Sequence, residues 1–426
     1  MCTILETWFE KWNKLGRLII SDISSTDKDL YNVKSRPTKA TLLCSNKCLK
    51  GRRDSLPLDF DQLRLVLRNI GVKSVRFRVQ LVTISPGNQF RKMAGSDFRK
   101  KWKGVVESAD GVFMDRVRKD GSVAWHRQFW ATGRTMCHDK TSVAAPTPCS
   151  DGKNIYAVFS SNDVICLDRA GNLQWLRGLT ADYANVSNSL GMSSSPVVTG
   201  DTLVVQVEND SESYTLGLNK TNGLNRWRLD RPKAANWTSP VLLKSGLVAL
   251  QSKTGIDAIR TEDGSNAWSY EDGASTIPSS AVLNGVLYIP SHGITALKLN
   301  DADAANTPKQ LWQSGRLQPG TASPIVIGNK VFTTNRAGVL TSGNIKTGER
   351  GWQLRLKGPF SATPVAAGDY LYFVNEAGLM QIVDTTAEEG EITGKLDLGE
   401  QVLGSPAVGS GALYVRSNSK LYKVAK

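Results

Sequence analysis

From about residue 147 the chain repeats one order of apolar and polar stretches. A small residue followed by Pro opens each round, at Thr147-Pro148, Ser195-Pro196, Ser239-Pro240, Ser323-Pro324, Thr363-Pro364 and Ser405-Pro406. Ser279-Ser280-Ala281 fills the gap between 240 and 324 without its Pro. A short apolar run follows, as in Pro196-Val197-Val198, and then a tight turn such as Thr199-Gly200-Asp201 or Ile327-Gly328-Asn329. Such turns suit residues that tolerate positive φ. A second apolar run comes next, Thr202 to Val207 or Lys330 to Thr333. Polar loops close it: Ser160 to Asp163, Glu208 to Ser213, Asn335 to Gly338, or Asn375 to Gly378. A third run then leads through a Gly turn to a fourth that ends at Trp. Short strands at regular spacing with Gly turns predict an all-β chain.

The second mark is a Gly four residues before a Trp: Gly121/Trp125, Gly171/Trp175, Gly223/Trp227, Gly264/Trp268 and Gly348/Trp352. Trp312 keeps the Trp without the Gly, and the last such stretch has Gly394 without a Trp. The repeat tryptophans, from Trp125 to Trp352, lie 50, 52, 41, 44 and 40 residues apart, the length of one four-stranded propeller blade. Seven starts predict a seven-bladed β-propeller. Trp125 precedes the first start, and no Trp follows the last. The order therefore predicts that Ser122 to Trp125 supplies a fourth strand to the C-terminal blade, which removes two exposed sheet edges. An eighth blade from residues 60–100, using the alternating Val75 to Val82, is the alternative. Trp125, Trp175, Trp227, Trp268, Trp312 and Trp352 are read as structural, each docking on the next blade.

These repeats resemble the quinoprotein-type, pyrroloquinoline-quinone-like propeller, whose repeat ends in A-x-D-x-x-T-G-x-x-x-W. Gly217 to Trp227 matches in length, Ser342 to Trp352 keeps Thr347, Gly348 and Trp352, and Cys166 to Trp175 is one residue shorter. The stretch from Ser195 to Pro240 looks like the repeat proteins of planctomycete-type bacteria. The resemblance implies relatives in the outer-membrane assembly lipoprotein class: exported, non-enzymatic scaffolds that bind protein segments. Quinone-dependent dehydrogenases of this type carry a vicinal disulfide, a calcium site and an Asp base. This chain has no Cys-Cys pair and no motif for the rest, so no catalytic, cofactor-binding or metal residue carries over and no cofactor is expected.

Charge divides the chain. Residues 1–100 carry 20 Lys/Arg against 9 Asp/Glu, whereas residues 101–426 carry 33 against 30. The expected organisation is a basic segment over 1–104, poorly ordered or aberrant, and a propeller over 105–426. The propeller itself has no basic excess for nucleic acid. No run of about 18 apolar residues predicts a transmembrane helix. The first residues, MCTILETWFEKWNKLGRLII, interrupt any apolar signal core with charges. The periplasm or cell envelope is thus what the resemblance implies, with the cytoplasm as the alternative, and a misassigned start or frameshift is the expected origin of the segment. Cys44 and Cys48 lack partners for a zinc site, and Cys137 with Cys149 are read as either a disulfide or free thiols.

Candidate site residues come from the loops before the first strand and between strands two and three, where propellers concentrate function. They are His138 and Lys140 before blade one, Asn185 and Asn188 before blade two, and Asn236 and Trp237 before blade three. Asp163, Glu208, Asp210 and His292 lie between second and third strands. Trp237 breaks the register of the other tryptophans and is the first ligand-facing choice. Glu208, Asn209 and Asp210 offer clustered oxygens for calcium, against an ordinary polar turn. The expected function is a non-catalytic, monomeric scaffold for a protein or peptide partner. A pyrroloquinoline-quinone-dependent dehydrogenase or a polysaccharide-binding propeller is the alternative.

Overall fold

The computed structural model describes residues 112–184, 190–244, 246–299 and 308–425, and four two-residue strands before them. The chain divides into two compact units, Met1–Gly104 and Val105–Lys426. In the first, Ile19–Ile20 pairs with Leu42–Leu43, and Ile23–Ser24 with Ser74–Val75. The expectation of a poorly ordered or aberrant segment, and all of the expected strand over 75–82 except Val75, lie outside the described residues.

The second unit is an all-β, seven-bladed propeller of four-stranded blades, with one short helix among its described residues, Leu179–Asp182. Each blade is an antiparallel meander. Blade two shows the plan: Val197–Thr199, Thr202–Val207, Tyr214–Asn219 and Asn225–Asp230 pair in chain order. The second and third strands are buried along their length, and the fourth alternates. Strands buried on both faces read as continuous apolar runs, which is why the pattern is strongest there. Among the described residues six blades have four strands, and the seventh has three: Ala407–Gly409, Ala412–Arg416 and Leu421–Val424. No helix among the described residues is long and apolar enough to cross a membrane.

Two features depart from the expected detail. The fourth strands do not end at Trp. Trp227 lies inside Asn225–Asp230, opposite Gly217, and the ladder slips by one residue beside it. The same slip recurs beside Trp268 and Trp312. A β-bulge there strengthens the local twist and turns the indole toward the next blade. The second departure concerns closure. The strand Val123–Phe129, which carries Trp125, pairs with Val112–Val117 and not with Leu421–Val424. A short turn closed by Gly121 N–H on Arg118 O makes this local pairing easier to close than one spanning the whole ring. The hairpin also buries Val112 and packs Met114, Trp125 and Phe129 against Ala157, Phe159, Ile165 and Leu167 of blade one.

The small residue before each Pro has a definite role. Thr147 N–H donates to Ser195 Oγ, Ser195 N–H to Ser239 Oγ, and Ser239 N–H to Ser279 Oγ. Ser279 N–H continues to Ser323 Oγ, Ser323 N–H to Thr363 Oγ1, and Thr363 N–H to Ser405 Oγ. Each bond is 2.9–3.1 Å and joins one blade to the next. A hydroxyl accepts well in this role, and buried N–H groups must find an acceptor. The belt explains why Ser279 keeps its place where Pro is lost.

Candidate functional site

Antiparallel order puts the loops between second and third strands at the same end as the loops joining successive blades. At this end the loops before blades one to three are tied together by backbone and indole bonds. His138 N–H donates to Leu190 O. Ser160 Oγ donates to Met136 O and accepts from Met192 N–H. Trp237 Nε1 donates to Gly191 O at 3.0 Å, and its backbone N–H donates to Thr276 O. Trp237 is half-buried, so its indole works as a latch, and the sequence neighbours of its two acceptors are Leu190 and Ile277. Those two are exposed, at 45% and 38%.

His138 and Lys140 belong to the same layer. Both are exposed, and His138 Nδ1 accepts from Lys140 N–H. Lys140 Nζ reaches both carboxylate oxygens of Glu376 in blade six, at 2.8 and 3.0 Å. Partial burial works to raise the Glu376 pKa, but Lys140 and Ser361 donate to its oxygens and hold it below the usual carboxylate range. A carboxyl depressed on folding contributes above its unfolded value and loses that contribution as pH falls through the folded one. Hydrogen exchange of residues 133–146 is therefore expected to quicken only in acid, below about pH 4.5. Lys140→Ala should remove that pH dependence at a stability cost of about 0–1 kcal/mol, since Lys140 is half exposed.

Three expected contact residues lie beneath this layer, which corrects their placement on the rim. Glu208 and Asn236 are 2% and 1% exposed. Glu208 Oε1 accepts from Arg231 Nε at 2.6 Å, and Oε2 from Asn236 Nδ2 at 2.8 Å. Arg231 also donates to Asp257 Oδ2 at 2.5 Å. Burial disfavours the Arg231 charge, but the paired carboxylates Glu208 and Asp257 overrule it and raise its pKa. The Glu208 oxygens thus serve Arg231 and Asn236. Among the described residues no group of three His, Cys, Asp or Glu is placed to hold a metal. Asp163 is fully buried and accepts from Thr132 N–H, Thr132 Oγ1 and Ser161 Oγ. Desolvation pushes its pKa up, and the three donors oppose this.

Asp210 is exposed on its turn. His292, at positive φ, is exposed and pairs with Asp272 at 3.3 Å. Asn185 and Asn188 lie outside the described residues. Cys137, Cys149 and Cys166 are free thiols, and burial pushes Cys149 and Cys166 up to about 12. Sequence reasoning missed Leu190, Ile277 and Arg231, whereas Glu376 was expected on this face among the loop residues of later blades. Nothing in the spacing of those three separates them from ordinary strand-end residues, because their partners come from neighbouring blades.

Five tryptophans lie over the next blade's outer turn, which accounts for the Gly marks. A Cβ built on Gly171 would lie 2.7 Å from Trp125, on Gly223 2.7 Å from Trp175, and on Gly264 2.8 Å from Trp227. Trp312 covers Gly348 and Trp352 covers Gly390 in the same way. Trp268 is buried in the core shared with Leu287, Ile289 and Leu297.

No curated protein sequence matches the chain. Among solved structures, BamB from Moraxella catarrhalis aligns with a TM-score of 0.57 at 20% identity, covering 74% of this chain and 89% of that one. A europium-containing methanol dehydrogenase aligns at 0.54 and 12% identity, over 72% and 80%. The quinohemoprotein alcohol dehydrogenase from Comamonas testosteroni gives 0.54 and 12%, over 72% and 67%. These likenesses show the fold. The family model described as outer membrane protein assembly factor BamB matches residues 117–292 and 298–424. Those residues are most of the chain, and the protein belongs to that family.

Proposed function

We propose that this chain is a non-catalytic scaffold of the cell envelope that holds a protein partner on its loop-rich end. Membership of an assembly-factor family supports the scaffold role. The observation that carries the choice of surface is the apolar strip Leu190–Trp237–Ile277. Its two exposed members adjoin in sequence the acceptors of the indole and backbone hydrogen bonds that fix Trp237. A fixed aromatic with exposed aliphatic residues next to its two anchors has the composition of a protein-binding centre. Its position is set by bonds between three blades, so little ordering cost is left for the moment of binding.

The test is site-specific photo-crosslinking in native cells. A crosslinker at Ile277 is expected to trap a discrete protein. One at Leu242, an exposed residue at the opposite end of blade three, is expected to trap none. Ile277→Asp should lower co-purification of that protein by about tenfold, because a charge is then forced against an apolar contact. Equal trapping at the two positions would show the surface to be wrong.

A further inference from the structure

Four repeat tryptophans fasten the next blade in one way. Trp125 Nε1 donates to Arg169 O, Trp175 Nε1 to Lys220 O, Trp227 Nε1 to Thr261 O and Trp312 Nε1 to Ile345 O, each at 3.0–3.1 Å. Every acceptor is the first residue after the third strand of the next blade. At the junction of blades five and six that place belongs to Thr385, which follows Leu379–Asp384. Trp352 lies over Gly390 of this turn, but its buried Nε1 has no partner.

Lys330 holds the acceptor instead. Its Nζ donates to Thr385 O at 2.6 Å and to Ala387 O at 3.2 Å, and lies 5.8 Å from the centre of the Trp352 ring. Two features of the sequence admit it. Lys330 opens the second strand of blade five, where the other blades have Asn154, Thr202, Leu247, Val286, Tyr370 and Ala412, none of them a cation. The receiving turn is also longer. Gly390 comes five positions after Thr385, whereas Gly223, Gly264 and Gly348 come three positions after Lys220, Thr261 and Ile345. Those three glycines have φ of +70° to +78°, and Gly390 is not at positive φ. The two added positions bring Ala387 O to the ammonium.

We infer that the junction of blades five and six is a two-position joint, in which Lys330 Nζ and Trp352 Nε1 compete for Thr385 O. With the ammonium seated, its charge-assisted bonds and the ring face offset the unbonded indole N–H. With the ammonium drawn out to water, where Lys is strongly hydrated, the indole takes Thr385 O as in the other four junctions. One set of bonds replaces another, so the two positions lie close in free energy. They hold the turn differently, because the Lys330 bond to Ala387 O exists in the first position alone. Glu388 and Glu389 follow Ala387 and are exposed. The place of one ammonium therefore sets how firmly this acidic turn is held.

The experiment uses the full chain with isotope-labelled tryptophan and reads the indole N–H signals by NMR. The Trp352 signal is identified by its loss in Trp352→Phe. Lys330→Met is expected to slow exchange of that N–H with solvent by about fivefold or more, the factor that one net hydrogen bond supplies. It should also quicken backbone amide exchange at Glu388 and Glu389. Lys330→Leu should do the same. Lys346→Met, at an exposed lysine on the outer turn of blade five, should change neither. In the Lys330→Met background Trp352→Phe should lower the denaturant midpoint, whereas in the parent chain it should leave the midpoint unchanged or raise it. Unchanged indole exchange in both Lys330 variants, or the same effect of Trp352→Phe in the two backgrounds, would overturn the joint.

Discussion

Arg231→Ala is expected to destabilise the propeller by about 3–5 kcal/mol, read as a fall in the denaturant midpoint. Arg231 and Glu208 are almost wholly buried, with side chains 4% and 1% exposed. Removing the guanidinium leaves Glu208 with only Asn236 as a donor and takes a partner from Asp257. A buried carboxylate without its cation carries its full desolvation cost, which is why breaking such a pair costs more than the pair contributes. Glu208→Gln with Arg231→Met should cost clearly less than Arg231→Ala, since no charge is then stranded at Glu208. Asp257 distinguishes the sites: its side chain is 29% exposed, so water replaces part of what it loses. A loss below about 1 kcal/mol for Arg231→Ala would mean that the cluster is hydrated and not a structural centre.

The same cluster shows where sequence reading stopped. Glu208 and Asn236 stood out as polar residues in irregular loops, and their positions were read correctly as loop ends. Their burial was not legible, because it depends on Arg231 arriving from the end of the fourth strand and on Gln251 from blade three. Polarity marks a loop, and only a partner's position says whether the loop is wet. Trp237 illustrates the converse. Its break from the repeat register did mark a special residue, but the indole N–H is committed to Gly191 O, and the exposed residues next to its two acceptors in sequence are aliphatic.

The blades were far more legible, for a physical reason. Each must present Gly where a neighbour's Trp lies over the turn, and a hydroxyl where the neighbour's N–H points. These two constraints recur at most of the described junctions, so they write a period into the chain. What the period could not convey is pairing at the ring's ends. The marks around Trp125 are the same whether its strand joins Leu421–Val424 or Val112–Val117. A local hairpin wins because it needs only the turn Arg118 to Gly121. The strand boundary at Trp was misplaced for a similar reason, since a bulge leaves no trace in the pattern of apolar residues.

Trp227→Ala should be the other severe substitution, costing about 3–5 kcal/mol. The indole is 7% exposed and packs with Val204, Val248, Leu250 and Ile259, joining blades two and three. It lies over Gly264 and donates Nε1 to Thr261 O at 3.0 Å. Truncation opens a cavity between two backbones that cannot collapse, because each is fixed by its own ladder. Trp227→Phe should recover most of the packing and lose the hydrogen bond, about 1 kcal/mol. Trp352 offers the contrast: it covers Gly390 in the same way, but its buried Nε1 has no partner. Trp352→Phe should therefore cost less than Trp227→Phe, or even stabilise, since it removes an unsatisfied donor. Equal costs for the two Phe variants, measured by chemical denaturation, would show that the indole bond to Thr261 contributes nothing and that packing alone joins the blades.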